Sequence, residues 1–372
     1  MWRLSDELLK GFEKMLEESY EATKRVAEEL NCRWEELPDA EPCDAFGVDG
    51  SRGVEKFSGV VFYAISSVAV GSDVLEMHEV TTLRPYRHID DRIRLHMQTS
   101  EFRIGSMAEA EMVLMDGTLS GAVIRPPAYI SDDIRDNLGR LRLMYDLDEM
   151  IDDFVFALDT WYGEIAADVA QGRARGNYLL TRTEYFDKME RGYRRGESFK
   201  EDLTILFEYL EYLHALNRLL EKHVIFVAKS FYTSEFSKNA AISDAAVLDY
   251  LAVKQFGEER AAYLPFKYEM KKALPFAKYF PNVSRADIHA AFVRFADFGS
   301  IYLLESPRKI DRKVLAKLKS LEVDGYLLPL IHAHRYAEIK KRELRNMMIT
   351  LLNATDPKFS FLLKGGRGVL ER

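Results

Sequence analysis

The segments Phe46-Gly-Val-Asp-Gly-Ser51 and Val113-Leu-Met-Asp-Gly-Thr118 share one pattern, an apolar run followed by Asp-Gly and a hydroxyl residue. A single Asp-Gly pair is most often a turn. Two such pairs, each after a run typical of a buried strand, are harder to explain by packing alone. If the two strands are parallel neighbours, Asp49 and Asp116 meet at one edge of a sheet, where sites in α/β proteins collect. Two carboxylates there can hold a divalent metal ion, so the pattern favours phosphate chemistry.

The elements around these motifs predict the order of the strands. Runs at about 44–49, 57–71 and 74–84 are joined by short links, which require antiparallel hairpins. A helix at about 87–109 leads to the strand that ends at Asp116, and a crossover of that length favours a parallel pairing. With a further strand at 223–228, this is the order of a ribonuclease H-like core. In that core the first and fourth strands are adjacent, which would place the two aspartates roughly 5 Å apart.

The rest of the chain divides into three parts. Residues 1–37 are interpreted as an N-terminal helical arm, with one amphipathic helix over 5–31. Residues 38–353 form the main domain, which includes a charged helical insertion at about 132–222, and residues 354–372 form a C-terminal tail. The predicted fold class is therefore α/β, a ribonuclease H-like core with a mixed sheet, a helical insertion and N- and C-terminal helices. The last of these helices is expected at about 329–353.

The composition excludes several classes of protein. Of the 372 residues 47% are apolar, which is enough for a substantial core, yet the longest nearly apolar run is too short to cross a bilayer. Cys32 and Cys43 provide neither a disulfide framework nor a zinc site. We therefore expect a cytoplasmic protein that does not contact membranes. The formal charge of −8 argues against coating nucleic acid by bulk attraction, but allows phosphates to be held in one groove.

Hydrolysis of a phosphodiester at a metal site needs more than two acids. A third carboxylate is expected from the helix before Asp116, where Glu101 is the best placed of several acids. Lys229-Ser230 follows the next strand, where a lysine can reach a phosphate, although an exposed strand end is an equally good interpretation. Asp244 is either a fourth acid or an ordinary charge in the first turn of a helix.

The segment Gly325-Tyr-Leu-Leu-Pro-Leu-Ile-His-Ala-His334 contains further candidates. Tyr326 is expected just before the last long helix, and His334 in the first turns of that helix. A histidine can bind a metal or move a proton, and a tyrosine can bond a phosphate. A single histidine on a helix more often does neither. Asp324-Gly325 is interpreted as a turn.

An arginine-rich connection at 171–200 lies within the insertion and includes Arg173, Arg175 and Arg194. It has two open interpretations. It could line the path of a DNA strand, with bases stacked on tyrosine rings. It could equally be a solvated surface whose charges are paired. The candidate rings are those of Tyr178, Tyr185 and Tyr193.

Together these motifs resemble those of the NurA nucleases, an archaeal and bacterial family of DNA-end-processing enzymes. The resemblance covers about residues 44–345. It rests on Val48-Asp-Gly-Ser51, Leu114-Met-Asp-Gly-Thr-Leu119, Ala228-Lys-Ser230 with Ser243-Asp244, and Gly325-Tyr326 with Ala333-His334. It implies a Mn²⁺-dependent nuclease, with Mg²⁺ as the alternative ion, that has 5′-to-3′ exonuclease and single-strand endonuclease activity. It also implies a homodimer that works with the HerA hexameric translocase, an ATPase, in DNA end resection.

The resemblance further implies roles for individual residues. Asp49 and Asp116 match the metal-binding aspartates of the family, and Glu101 is the best match to its glutamate. Tyr326 and His334 match its late tyrosine and histidine. His334 would then complete the metal shell or move a proton.

Two other classes of function remain. An actin- or sugar-kinase-like phosphotransferase also places Asp-Gly turns around phosphates, but it would need glycine-richer turns than these. An inactive DNA-end adaptor for a motor protein would not need the acids that this chain retains.

Overall fold

The computed structural model describes residues 5–30, 32–123, 137–173, 175–229, 242–267 and 274–364. The strands are β1 (Glu35–Glu36), β2 (Ala45–Lys56), β3 (Val61–Val70), β4 (Val74–Leu83), β5 (Met112–Asp116), β6 (Val224–Ala228), β7 (Ala262–Lys267), β8 (His289–Arg294), β9 (Tyr302–Ser306), β10 (Glu322–Val323) and β11 (Tyr326–Leu327).

The helices are α1 (Asp6–Glu29), α2 (Ile89–Met107), α3 (Leu119–Val123), α4 (Leu147–Ala170), α5 (Glu184–Tyr193), α6 (Lys200–Leu219), α7 (Asp244–Phe256), α8 (Pro281–Arg285), α9 (Arg312–Ser320), α10 (Leu328–Ala337) and α11 (Lys341–Ala354). Short 3₁₀ helices cover Leu180–Arg182, Ala277–Tyr279 and Pro357–Leu363. Residues 137–144 are also helical. None of the described helices is long and apolar enough to cross a membrane.

The centre of the molecule is a mixed sheet with the strand order β1-β7-β8-β9-β6-β5-β2-β3-β4. β2, β3 and β4 form two antiparallel hairpins, and β5 pairs in parallel with both β2 and β6. The predicted α/β class with a mixed sheet is confirmed, and so is the predicted adjacency of the first and fourth strands of the core. The register places Val48 opposite Met115, so Asp49 and Asp116 each lie one residue beyond that pair.

Helices cover both faces of the sheet at this point. α2 and α10 each pack against β2 and β3. Alternate residues of a strand point to opposite faces. Gly47 lies against the backbone of Pro329 in α10, whereas Gly50 lies against Glu101 in α2. Asp49 therefore points to the α10 face, and the glycine beside it opens the α2 face.

The residues of the predicted helical insertion form α4, α5 and α6; residues 132–136, at its predicted start, are outside the described ranges. It is joined to α2 through buried ion pairs. Arg92 donates to Glu208 at 2.8 Å and Arg103 donates to Glu211 at 2.7 Å. Both carboxylates lie on α6. Separating α6 from α2 would leave these buried charges without partners, which is strongly unfavourable. The ion pairs therefore hold the insertion against the helix that carries Glu101.

Three details of the fold differ from the sequence prediction. The strand predicted to end at Asp49 continues to Lys56, because Gly50 and Ser51 stay paired with β3 instead of turning. The helix predicted at 329–353 is divided into α10 and α11, because the amide of Ile339 bonds the hydroxyl of Ser51. The strands β1 and β7, at one edge of the sheet, were not anticipated. The helix predicted near the N-terminus is observed as α1. It begins after Ser5, whose hydroxyl accepts from the amide of Leu8.

Candidate metal centre

The two aspartates lie at the same edge of the sheet but in different surroundings. Asp49 is 8% exposed, and its Oδ1 accepts the amide of Gly50 at 2.8 Å. Burial raises the pKa of the Asp49 carboxyl, and the charge of Asp116 raises it further. Asp116 ends β5 and is partly exposed. The turn after it uses Gly117, whose φ of 117° is in the region that favours glycine.

Glu101 approaches the aspartates from the opposite face of the sheet. A Cβ atom at position 50 would lie 2.3 Å from Oε1 of Glu101, so only glycine leaves room for this carboxyl. Glu101 is 7% exposed. Burial raises its pKa well above the ordinary value of 4.5, and the charges of Asp49 and then Asp116 act in the same direction. Three carboxyl groups from β2, β5 and α2 therefore share one electrostatic environment.

His334 caps this group from α10. Its Nδ1 lies 2.7 Å from Oδ2 of Asp49, and this contact lowers the pKa of the aspartate against the effect of burial. The close packing of Pro329 on Gly47 brings α10 near enough for that contact. The His334 side chain is 63% exposed, so its outer edge faces solvent.

Lys229 balances the charge of Asp116. Its Nζ lies 2.6 Å from Oδ2 of Asp116 and 5.2 Å from the centre of the Tyr326 ring. The lysine follows β6, as the sequence predicted, and the strand β6 is parallel to β5. The side chain of Lys229 is 40% exposed, which leaves it accessible to a second anion.

The hydroxyl of Tyr326 is buried and has no hydrogen-bond partner within the described residues. Its ring packs on that of Tyr302, with the centroids 5.0 Å apart. Burial raises the pKa of this hydroxyl, and Asp116, Tyr302 and Asp49 raise it further. The group therefore stays protonated beside the acids and can donate a hydrogen bond that nothing in the described chain accepts.

These residues fit a divalent metal ion. Carboxylate oxygens are the ligands that Mg²⁺ and Mn²⁺ prefer. Burial and then mutual repulsion raise the pKa values of Asp49 and Glu101, and a cation would offset the repulsion. In the described part of the chain no three acidic, histidine or cysteine side chains already stand as a complete ligand set. Asp116 is held by Lys229, and Asp49 by His334. A metal ion would therefore compete with Lys229 for Asp116, and it would bind Asp49 beside His334.

The contacts described above do not include the other predicted residues. Asp244 is fully buried in the first turn of α7, behind the Ser243 N-cap. Ser230 is outside the described residues. Arg173 and Arg175 pair with Asp168 of α4, and Arg194 with Glu190 of α5. Of the three tyrosines in that region, Tyr178 is buried, Tyr193 is bonded to Asp153, and Tyr185 is exposed.

Sequence reasoning missed two supporting residues. Glu305 of β9 is buried, and its Oε2 accepts the amide of Ser120 at 2.7 Å, which holds the chain just after Asp116. Ser51 accepts the amide of Ile339 at 3.0 Å and fixes the end of α10. The hydroxyl of Ser51 was visible in the first motif, but its partner is 288 residues away. Nothing in the local sequence indicates the role of Glu305.

Known proteins resemble this chain in sequence and in fold. Residues 43–339 match the family model of the NurA domain. The DNA double-strand break repair nuclease NurA of Pyrococcus furiosus is 30% identical over an alignment that covers 91% of this chain and 92% of that protein. A crystal structure of NurA bound to dAMP and manganese superposes with a TM-score of 0.83 and 27% identity, covering 97% of this chain and 100% of the other. A structure of NurA with manganese gives 0.79 and 26%, covering 93% and 98%. The family model matches most of the chain, and the Pyrococcus furiosus relative is 30% identical over nearly its whole length. This protein therefore belongs to the NurA family.

Proposed function

We propose that this protein is a metal-dependent nuclease that hydrolyses phosphodiester bonds of DNA. The observation that carries the proposal is the convergence of Asp49, Glu101 and Asp116, with the pKa values of the first two raised by burial and by the shared charge. The relatives support the substrate class, since one is named a DNA repair nuclease and another holds dAMP and manganese.

Each side chain has a role in this mechanism. Asp49, Glu101 and Asp116 would hold one or two Mn²⁺ ions, with Mg²⁺ as the alternative, and His334 would complete the shell or carry a proton. The ion, when bound, activates water and stabilises the leaving oxygen. Since Nδ1 of His334 faces Asp49, its other ring nitrogen is free to exchange a proton with solvent or substrate.

Two further groups would position the scissile phosphate. Lys229 forms an ion pair with Asp116 in this structure. Once a cation binds the aspartate, the ammonium group can pair with a phosphate oxygen instead. The Tyr326 hydroxyl is a protonated donor without an acceptor in the described chain, and a phosphate oxygen would satisfy it. Ser230 and the arginines 173, 175 and 194 are further proposed DNA contacts. Those arginines would first have to leave their present carboxylate partners.

The finer activity and the biological setting are also part of the proposal. The ribonuclease H-like assignment of the core is supported by the order β4-β3-β2-β5-β6. By its family membership we infer 5′-to-3′ exonuclease and single-strand endonuclease activity, a homodimer, and action with a HerA-like hexameric ATPase in end resection in the cytoplasm. Light scattering of the purified chain tests the dimer. Co-purification with a HerA-like protein, before and after deletion of residues 1–37, tests the partnership.

Two alternative functions have less support. A phosphotransferase of the sugar-kinase type would use glycine amides to hold phosphate. Here the amide of Gly50 is bonded to the carboxylate of Asp49 and its open side is filled by Glu101. An inactive adaptor would have no need of three carboxyl groups that repel one another, two of them buried.

The decisive experiment compares two chemically identical substitutions. Asp49→Asn removes one acid of the centre, whereas Asp324→Asn makes the same change in the Asp-Gly turn between β10 and β11, where asparagine tolerates the φ of 53°. With labelled single-stranded DNA and Mn²⁺, we expect wild-type cleavage by Asp324→Asn and a loss on the order of 10³-fold for Asp49→Asn. Chelation of the metal should abolish both residual and wild-type activity. Cleavage by Asp49→Asn at the wild-type rate would refute the proposal.

A further inference from the structure

Five exposed cations follow the candidate metal centre along the C-terminal helices. They are Arg335, Lys340, Lys341, Arg342 and Arg345, and we call them the basic ridge. Among the described residues none of the five has an ion-pair partner. The same segment contains two acids, Glu338 and Glu343, which leaves it with an excess of three positive charges. In a chain with a net charge of −8, such a segment stands out.

The ridge runs beside β2 as that strand leaves the acids. His334, next to Arg335, touches Asp49 at 2.7 Å. Further along, Ile339 bonds Ser51 at 3.0 Å, and Leu344 packs over Gly53, where a Cβ atom would meet its side chain at 2.8 Å. Since a strand advances about 3.3 Å per residue, the ridge follows β2 for roughly 13 Å from the metal centre.

The cations of α11 all lie on the solvent side. Leu344 and Met348 are buried and pack against the β3 residues of the sheet. Lys341, Arg342 and Arg345 lie within about 100° of one another around the helix axis and beside that buried seam. Their charges are therefore presented together, rather than spread around the helix.

Several other basic groups already have partners. Lys56 of β2 pairs with the carboxylate of Asp90, and Arg52 donates to the backbone carbonyl of the same residue. In the insertion Arg173 and Arg175 pair with Asp168. A paired cation must give up its partner before it binds phosphate, whereas an unpaired one releases only counter-ions. The ridge also carries Tyr336, which is 59% exposed and offers a ring on which a base can stack.

We propose that the basic ridge binds the sugar-phosphate backbone of single-stranded DNA and guides it to or from the metal centre. The proposal rests on the proposed nuclease function, because it takes DNA as the ligand. It assigns the principal electrostatic contact to α10 and α11, and not to the arginine-rich insertion.

The test is a salt titration of DNA binding by two variants that lose equal charge. The ridge variant is Lys341→Ala/Arg342→Ala/Arg345→Ala. The control variant is Lys10→Ala/Lys188→Ala/Arg191→Ala, whose three exposed cations lie on α1 and α5 and have no ion-pair partner within the described ranges. Binding of a fluorescent single-stranded oligonucleotide is followed by anisotropy in EDTA, which prevents cleavage.

For the ridge variant we expect the slope of log K against log salt to become shallower by about 2, since each contact with a single strand contributes about 0.7. Binding at about 0.1 M salt should weaken roughly a hundredfold. The control variant should keep the wild-type slope. An unchanged slope in the ridge variant would overturn the proposal and leave the ridge to an acidic protein partner.

Cleavage measured in parallel with Mn²⁺ separates this proposal from the proposed function. If the wild-type protein binds and cuts DNA while the ridge variant keeps its slope, the ridge proposal fails and the nuclease stands. If the wild-type protein neither binds nor cuts DNA, both fail together.

Discussion

Glu101 and Gly50 occupy a single space: a Cβ atom on Gly50 would lie 2.3 Å from Oε1 of Glu101 and 2.9 Å from its Cδ. The glutamate comes from α2 and the aspartates from β2 and β5, on the other side of the strand. Because Gly50 has no side chain, α2, β2 and β5 can bring their carboxyl groups together. Gly50 does not turn the chain, because β2 continues in register with β3.

Gly50→Ala is expected to displace the Glu101 carboxyl while the protein remains folded. Overpacking of this kind destabilises by about 1–3 kcal/mol, and misplacing a catalytic group by about 1 Å can reduce the rate on the order of 10²-fold. The measurement is Mn²⁺-dependent cleavage together with the melting temperature. Gly53→Ala is the matched control on the same strand, since its Cβ would displace only the flexible end of Leu344. Equal losses of activity in the two variants would contradict this role of Gly50.

The raised pKa values also predict how stability depends on pH without metal. Glu101 and Asp49 bind protons more tightly in the folded chain than in the unfolded one. Their contribution to stability is complete below the ordinary values of 4.5 and 3.8, and it is lost as the pH rises through the folded values. Glu101→Gln lacks this titration, so in EDTA the variant should become increasingly more stable than the wild-type protein from about pH 4 upward.

Urea unfolding of both proteins across that pH range measures the difference. Glu208 acts in the opposite direction, since His96 and Arg92 hold its pKa below the ordinary value against the effect of burial, but it is common to both proteins and cancels. With Mn²⁺ the order should reverse at high pH, because metal binding requires the ionised carboxyls. Parallel curves in EDTA would show that Glu101 does not titrate as the structure indicates.

The sequence predicted the parts of this site that local pattern controls. Alternating and continuous apolar runs located β2, β3 and β5, and the length of the connection through α2 favoured the parallel pairing of β5 with β2. The same pattern left several acids of the helix region as candidates. In the structure Glu109 pairs with Lys222 and Glu111 with Lys317, whereas Glu101 lies beside the two aspartates. Those lysines are 113 and 206 residues away, beyond any local rule.

The end of α10 could not be predicted from the local sequence either. The segment from Ala337 to Lys341 contains no proline or glycine, so helix propensity gives no reason to stop there. The helix ends because Ser51 takes the amide of Ile339, whose side chain joins the cluster of Phe62 and Leu344. Tertiary contacts thus override helix propensity. They end α10 and direct the following residues of the basic ridge along β2.

Lys229→Met should separate metal binding from DNA binding. Without the ammonium group at 2.6 Å, Asp116 is more available to a cation, so Mn²⁺ should bind several-fold more tightly in the absence of DNA. The KM for DNA should rise, because a phosphate contact is lost. Isothermal titration with Mn²⁺ and steady-state cleavage measure the two effects. Lys222→Met removes a lysine that pairs with Glu109 at 2.7 Å, and it should change neither quantity. Weaker Mn²⁺ binding by Lys229→Met would exclude competition between the lysine and the metal.

Tyr326→Phe removes a buried hydroxyl that has no partner in the described structure and keeps the ring that packs on Tyr302. An unsatisfied buried donor destabilises a protein by about 1–3 kcal/mol, so the variant should be as stable as the wild-type protein or more stable. Its cleavage rate should nevertheless fall, by a factor on the order of 10, because a phosphate oxygen loses the one hydrogen bond that this group is placed to donate. Tyr302→Phe is the control, since it keeps the ring that packs on Tyr326 and removes a hydroxyl that bonds Ser300. Thermal melting and Mn²⁺-dependent cleavage of both variants are the measurements. If Tyr326→Phe is stable and fully active, the hydroxyl is an unsatisfied buried group without a role in cleavage.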